Sequence, residues 1–360
     1  MVGPDGVLPL PWLEATLRDT LQTRRAHALL LHGPRGVGQF ELAVTLAQAW
    51  LCEAADQQAR PCGHCASCRL VQARSHPDLL VLLPEAMREP LGWDIAGGDD
   101  AASDKASKAK PSKEIKVEAV RLAVAFAQVT SARGRCKVVV VHPAERMNDV
   151  AANTLLKTLE EPPGRARFVL ACAEPDALLA TIRSRCQAVP MSLPATELAA
   201  EWLARRGVAE PAVLLAAAGG QPQEALEWSG QGLDSALWVR LPAFVQHGES
   251  TPIAAWPLPR VVDALQKLCH DASCVVAGAA PRYFPRAAIP SGANAVALVE
   301  WSRELGRVAR HADHPWNVGL MVESLVQQGQ RALTVAASRR QHAGDASRDP
   351  MQGAPVHSGT

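Results

Sequence analysis

The chain has 360 residues, of which 48% are hydrophobic, 20% charged and 4% aromatic, with a formal net charge of +1. That length suggests roughly two or three domains with substantial apolar cores, and the scarcity of aromatics beside long Ala/Leu/Glu/Arg stretches argues against an all-β architecture and for helices. Near-neutrality excludes a global electrostatic pull on nucleic acid, so any contact with DNA has to be local or indirect.

In chain order, residues 11–25 place Trp12, Leu13, Leu17 and Leu21 at helical spacing. Residues 28–31 form a short apolar run that stops at Gly33, which reads as a buried parallel strand. Residues 41–51 return to helical spacing with Leu42, Leu46 and Trp50. Strand, glycine turn and helix open an α/β nucleotide-binding fold. A cysteine-rich segment covers 52–68, and residues 78–83 form a second strand. Residues 97–113 are small, charged and free of large apolar side chains, and are expected to form a disordered surface loop. A helix face resumes over 115–129, and Lys137 with four valines marks the strongest strand, 137–141. A helix over 148–161 stops at Pro162 and Pro163, a strand covers 168–172, and a helix covers 174–184. Strands alternating with helices to about residue 190 predict a parallel, doubly wound sheet. Beyond Pro190 the pattern is helical: short helices over 195–230 around Gly219 and Gly220, then longer ones from about 235 to 335 with a loop at 279–292. The polar tail, 338–360, is expected to be disordered. No secretory leader is legible at the start, and no run approaches the ~20 apolar residues of a spanning helix. The expectation is a cytosolic protein without membrane contact, whose 9 cysteines are thiols or metal ligands rather than disulfides.

A phosphate-binding loop needs glycines so that backbone N–H groups can face phosphate oxygens, a Lys for the β/γ-phosphates, and a Ser/Thr hydroxyl for Mg²⁺. Here the loop runs Gly33, Pro34, Arg35, Gly36, Val37, Gly38, and then Gln39 at the Lys position and Phe40 at the hydroxyl position. The glycine spacing and the strand-to-helix placement fit; the chemistry does not. A second departure agrees. The acidic pair that ends the next core strand and handles Mg²⁺ and water is replaced by His142 and Pro143, with Glu145 displaced further on. Two independent losses predict no functional ATP site.

Cys62, Cys65 and Cys68 are spaced C-x₂-C-x₂-C, and Cys52 lies upstream. Four thiolates suit tetrahedral Zn²⁺, and a closed four-thiolate site is structural. His64 is an alternative fourth ligand, lying inside the turn with its ring directed away; an iron–sulfur cluster is a weaker alternative. Cys136, Cys172, Cys186, Cys269 and Cys274 sit in apolar contexts as core residues. Arg183 and Arg185 read, as residues alone, as basic groups at a helix C-terminus that complement its dipole. An arginine that reached a neighbour's γ-phosphate would instead stabilise phosphoryl transfer.

Several stretches together resemble the AAA+ clamp-loader family: residues 27–33, the four-cysteine insertion, His76-Pro77-Asp78, the run 153–163 (NTLLKTLEEPP), and Ser184-Arg185-Cys186. The resemblance covers roughly residues 10–230 with its specific motifs, and the helical remainder loosely. Within the family the chain is similar to the delta-prime branch of bacterial DNA polymerase III clamp loaders, which keeps the zinc site, glycine loop and Ser-Arg-Cys without a working ATP site. Gln223, aligned with a sensing arginine of the ATPase subunits, fits that pattern.

The resemblance implies an α/β, RecA-like P-loop domain over 1–190 with a zinc insertion at 52–68, a small helical lid over 191–234, and an all-α collar over 235–337. It implies that Arg185 is an arginine finger acting in trans on an adjacent ATPase subunit. The implied partners are gamma/tau ATPase subunits and a delta subunit in a hetero-pentamer, with the sliding clamp and primer-template DNA met mainly through the complex. No intrinsic ATPase or polymerase activity is implied, only membership of a DNA-directed DNA polymerase holoenzyme at the replisome. Two alternatives remain: an active gamma/tau-like ATPase, opposed by Gln39, Phe40, His142, Pro143 and Gln223, and a zinc-dependent nucleic-acid-binding module, opposed by the +1 charge.

Overall fold

The computed structural model describes residues 1–93, 111–311 and 316–334. Residues 97–110 of the expected disordered loop 97–113, and the tail 338–360, lie outside the described residues; Ser112, in the described remainder of that loop, donates its backbone N–H to Glu85 at 3.0 Å. The chain divides into two compact units, Met1–Ser235 and Ala236–Thr360.

The first unit has the α/β class expected. Its elements are α1 (Glu14–Thr23), β1 (Ala28–His32), α2 (Gln39–Leu51), α3 (Ala66–Gln72), β2 (Leu79–Leu82), α4 (Glu85–Leu91), α5 (Val117–Gln128), β3 (Val138–Val141), α6 (Asp149–Glu160), β4 (Arg167–Cys172), α7 (Ala180–Arg183), β5 (Gln187–Pro190), α8 (Thr196–Ala204), α9 (Pro211–Ala217) and α10 (Pro222–Gly230). The sheet is parallel throughout, in the order β2-β3-β4-β1-β5. The all-valine β3 is buried along its whole length, as a strand covered on both faces must be. β1 pairs Leu30 with Leu170 of β4 and with Ala188 of β5. Leu30, Val139, Val141, Phe168 and Leu170 form one apolar core with Leu155 of α6 and Ile182 of α7. Asn148 starts α6 by accepting the N–H of Ala151 at 2.9 Å.

Two local readings are corrected. The helix expected over 174–184 is a 3-10 turn, Pro175–Ala177, followed by the single-turn α7, because Leu178 and Leu179 are extended between them. The edge strand β5 carries no sequence signal: four residues, only Val189 buried, ending on a proline.

The second unit contains α11 (Ser235–His247, shared at its first residue), α12 (Leu258–Val276), α13 (Ala295–Arg310) and α14 (Val318–Leu333). α12 packs on α13, and α13 on α14. Trp301 donates its indole N–H to the Leu325 carbonyl at 3.0 Å, with Gly329 leaving room for the ring. Buried Asp271 accepts the backbone N–H groups of Arg282, Tyr283 and Phe284 at 2.9, 2.7 and 2.8 Å, which pins the loop after α12. Trp238 stacks on Phe284 with centroids 4.5 Å apart. Cys136, Cys172 and Cys269 are core residues as expected, whereas Cys186 and Cys274 are half-buried, the latter beside His270. Among the described residues no helix is long and apolar enough to cross a membrane.

Candidate functional site

β1 passes to α2 through the glycine loop at the carboxyl edge of the sheet, the edge where open α/β folds bind ligands. Gly36 and Gly38 take left-handed φ angles of +69° and +99°. A Cβ on Gly33 would sit 2.1 Å from the Met191 carbonyl oxygen, and one on Gly38 would sit 2.4 Å from Leu10 Cδ1. Packing and turn shape therefore account for these glycines. Gln39 folds its amide back into the loop and donates to the carbonyls of Gly33 and Pro34 at 2.8 and 2.5 Å. Arg35 points outward and pairs with Glu174. Gln223 donates to Glu41 at 2.5 Å, and its backbone N–H reaches the Gly36 carbonyl at 3.4 Å.

Phe40 fills the space beside the loop. Its ring centroid lies 5.0 Å from that of His142 and 6.3 Å, edge-on, from that of Trp93. His142 follows β3 and donates its backbone N–H to Leu82 at 3.0 Å. Burial pushes the His142 imidazole down to about 4, so the ring is neutral at physiological pH. The displaced acid Glu145 accepts the Ala173 N–H at 3.0 Å with one oxygen, while its other oxygen is buried without a partner. At the three positions where phosphoryl chemistry uses an ammonium, a hydroxyl and a carboxylate, the chain presents an amide, a phenyl ring and a neutral imidazole.

The insertion gathers Cys52, Cys62, Cys65 and Cys68 so that all four sulfurs lie within 4.8 Å of one another. Cys52 and Cys65 sulfurs are 3.9 Å apart, and those of Cys62 and Cys68 are 4.0 Å apart. A tetrahedral ion with ~2.3 Å metal–sulfur bonds spaces its ligands at about 3.8 Å, so the cluster fits a metal ion. Backbone N–H groups of Cys62, Cys65 and Cys68 each point at a sulfur of the preceding ligand, at 3.4 to 3.5 Å. Burial works against ionising Cys62, but the N–H groups of Cys65 and His64 outweigh it and draw the thiol down to about 7. Burial pushes Cys52 and Cys68 up, a penalty that a bound cation would remove. His64 turns its Nδ1 to the Cys62 carbonyl at 2.8 Å and stays exposed outside the cluster. The turn is anchored to the rest of the unit by a chain that sequence reasoning missed. Ser67 donates to the Leu51 carbonyl at 2.7 Å, so His76 Nε2 must donate to Ser67, at 2.8 Å. His76 Nδ1 in turn accepts the Asp78 N–H at 3.0 Å.

Arg185 follows α7, and its hydrogen bonds reach neither the loop nor the cysteines. Its Nε donates to Glu160 at 2.5 Å, Nη2 contacts the same carboxylate oxygen, and Nη1 donates to the Thr181 carbonyl at 2.9 Å. The side chain is 32% exposed, and Glu160 is the last residue of α6. Glu160 belongs to the 153–163 run, but nothing in the sequence announces it as the partner.

A family model described as DNA polymerase III, delta subunit matches residues 13–194. The Escherichia coli DNA polymerase III subunit delta' is 32% identical over 279 residues, 71% of this chain and 76% of that protein. The chain belongs to the delta-prime family of DNA polymerase III subunits. A further delta-prime relative, from Pseudomonas aeruginosa, is 39% identical over 228 residues, and the match spans 62% of each chain, less than two thirds of that relative. The tau subunit from Escherichia coli is 36% identical over 160 residues, 44% of this chain and 20% of that protein. The matching family model takes in the glycine loop, the four cysteines and Arg185; α8 to α14 lie beyond it.

Proposed function

We propose that the chain acts as the non-hydrolysing delta-prime subunit of a DNA polymerase III clamp loader, helping to load a sliding clamp onto primed DNA at the cytoplasmic replisome. The observation that carries this reading is the Phe40–His142–Trp93 contact, which occupies with apolar and neutral rings the place where a nucleotide's cation would sit. The same observation disfavours an active gamma/tau-like ATPase. Residues 1–190 then serve as the RecA-like module, 191–234 as a lid, and 235–337 as a collar in a hetero-pentamer with gamma/tau ATPase subunits and a delta subunit. Zn²⁺ at Cys52, Cys62, Cys65 and Cys68 has a structural role, since four thiolates leave no open coordination position.

Arg185 acts in trans as an arginine finger. Its ion pair with Glu160 is exposed, and such pairs contribute only about 0–1 kcal/mol. A γ-phosphate on a neighbouring subunit carries more charge than one carboxylate and can take the guanidinium over. The test is ATP binding and turnover by the chain alone, then mixed with clamp-loader ATPase and delta subunits. Silence alone, with turnover in the mixture that falls on Arg185→Ala, supports the reading. Turnover by the isolated chain rejects it.

A further inference from the structure

The end of the sheet where β1, β3 and β4 begin lies opposite the glycine loop, and it opens into a groove of about 1320 Å³. Seven arginines line it, with Asp56 the one acid among the described lining residues. Arg18 comes from α1, and Arg24 and Arg25 follow that helix. Arg60 comes from the chain between α2 and α3, and Arg135 lies three residues before the start of β3. Arg165 comes from the turn that leads from α6 into β4, and Arg167 is the first residue of β4. On a chain of net charge +1, this is a strong local concentration of positive charge.

The protein leaves most of that charge uncompensated. Among the described residues, carboxylates touch only Arg18 and Arg24 of the seven, from Glu14 and Asp19, each at 4.0 Å. Arg18, Arg60 and Arg135 donate instead to backbone carbonyls: Gln58 at 2.5 Å, Ala54 at 2.8 Å and Trp50 at 3.0 Å. Carbonyls fix the orientation of a guanidinium without neutralising it. Arg24 Nε is buried with no partner. Arg25 and Arg165 are exposed, and their guanidinium groups form no hydrogen bond or ion pair with any described residue. Arg167 lies over the Trp50 ring, its guanidinium carbon 4.7 Å from the ring centroid, and both residues line the groove.

A solvated basic rim would need none of this convergence. Gathering like charges in a concavity costs repulsion, which a bound polyanion relieves while its counterions are released. We infer that the groove binds the phosphodiester backbone of single-stranded nucleic acid. Guanidinium forks match phosphate oxygens in pairs, and the Arg167–Trp50 stack offers a surface on which unpaired bases lie. An acidic protein segment would use the charge but not the stack. The inference is independent of Arg185 and of the zinc cluster.

The test is fluorescence anisotropy of the full chain with a labelled oligothymidylate of about 20 nucleotides, titrated from about 50 to about 200 mM salt. Salt-dependent binding is expected. The double variant Arg25→Ala/Arg165→Ala should weaken it at least about fivefold and flatten the log affinity against log salt slope by about 1.4, roughly 0.7 for each lost phosphate contact. Arg25→Lys/Arg165→Lys should restore the slope. Both residues are exposed and unpaired, so thermal melting and metal content should match wild type, which separates lost binding from lost folding. Four results would each overturn the inference: no binding at low salt, binding indifferent to the double alanine variant, equal binding of duplex of the same length, or preferential capture of polyglutamate, which would mark an acidic protein partner instead.

Discussion

Acid should unlock the ring cluster that fills the nucleotide position, and His142 sets the size of the effect. Burial lowers its folded-state value to about 4, against 6.5 for the free side chain. As pH falls, the unfolded chain takes up the proton first, so acid favours unfolding. The stabilisation is fully present above about 6.5 and is lost as pH falls to about 4. The full difference, 6.5 − 4 = 2.5 units, corresponds to about 3.4 kcal/mol. At pH 5 the part already lost is about 2 kcal/mol. Urea unfolding followed by circular dichroism, at pH 7.5 and at pH 5, on wild type and on His142→Asn, isolates this one group. The variant loses the stacking on Phe40 at every pH but has nothing to titrate. Carboxylates, His76 and the clustered cysteines contribute to both proteins and cancel in the difference. Wild type should lose about 2 kcal/mol more than the variant between the two pH values. Parallel losses would show that position 142 is hydrated or free to rotate outward, and the account of a neutral imidazole packed on Phe40 would fail with it.

Replacing Arg185 with Ala should slow the one site it serves by ~10³-fold or more while the complex still assembles, so total ATPase falls by that site's share; unchanged turnover removes the finger role. Glu160→Gln should weaken the hold on the guanidinium yet shift stability by no more than about 1 kcal/mol, because the pair is exposed; a larger loss in urea unfolding would make the pair structural. Metal analysis of wild type should find about one zinc per chain, and Cys65→Ser should lose it and lower the melting temperature of the first unit. Wild type free of zinc rejects that site. Asp271→Ala should strand three backbone N–H groups and cost about 3 kcal/mol or more in the second unit alone, seen as an earlier urea transition that leaves the sheet unit unchanged.

Much of this architecture was legible because the signals were local. The valine run of β3, the glycine loop and the C-x₂-C-x₂-C spacing each declare themselves within a few residues, and Gln39, Phe40 and His142 announce lost chemistry by identity alone. What depends on tertiary placement was not legible. β5 is a strand only because β1 pairs with it. Trp93 gives no sign in sequence that it closes on Phe40, and Glu160 none that it holds Arg185. The basic groove is the clearest case: its arginines lie between positions 18 and 167, and a near-zero net charge concealed them.

The ring cluster at the glycine loop also makes nucleotide chemistry hard to install one residue at a time. Restoring a lysine at Gln39 alone would bring an ammonium beside the Gly33 and Pro34 carbonyls, but with no carboxylate at His142 to hold a metal. Restoring a hydroxyl at Phe40 alone would leave His142 and Trp93 facing a void, and large-to-small changes at packed sites destabilise. An acid at 142 alone would be buried against a phenyl ring, where its charge is unsupported. No single one of these changes completes the site, and those at positions 40 and 142 also destabilise the chain, so nucleotide chemistry here would require several coordinated changes in α2, after β3 and near Trp93.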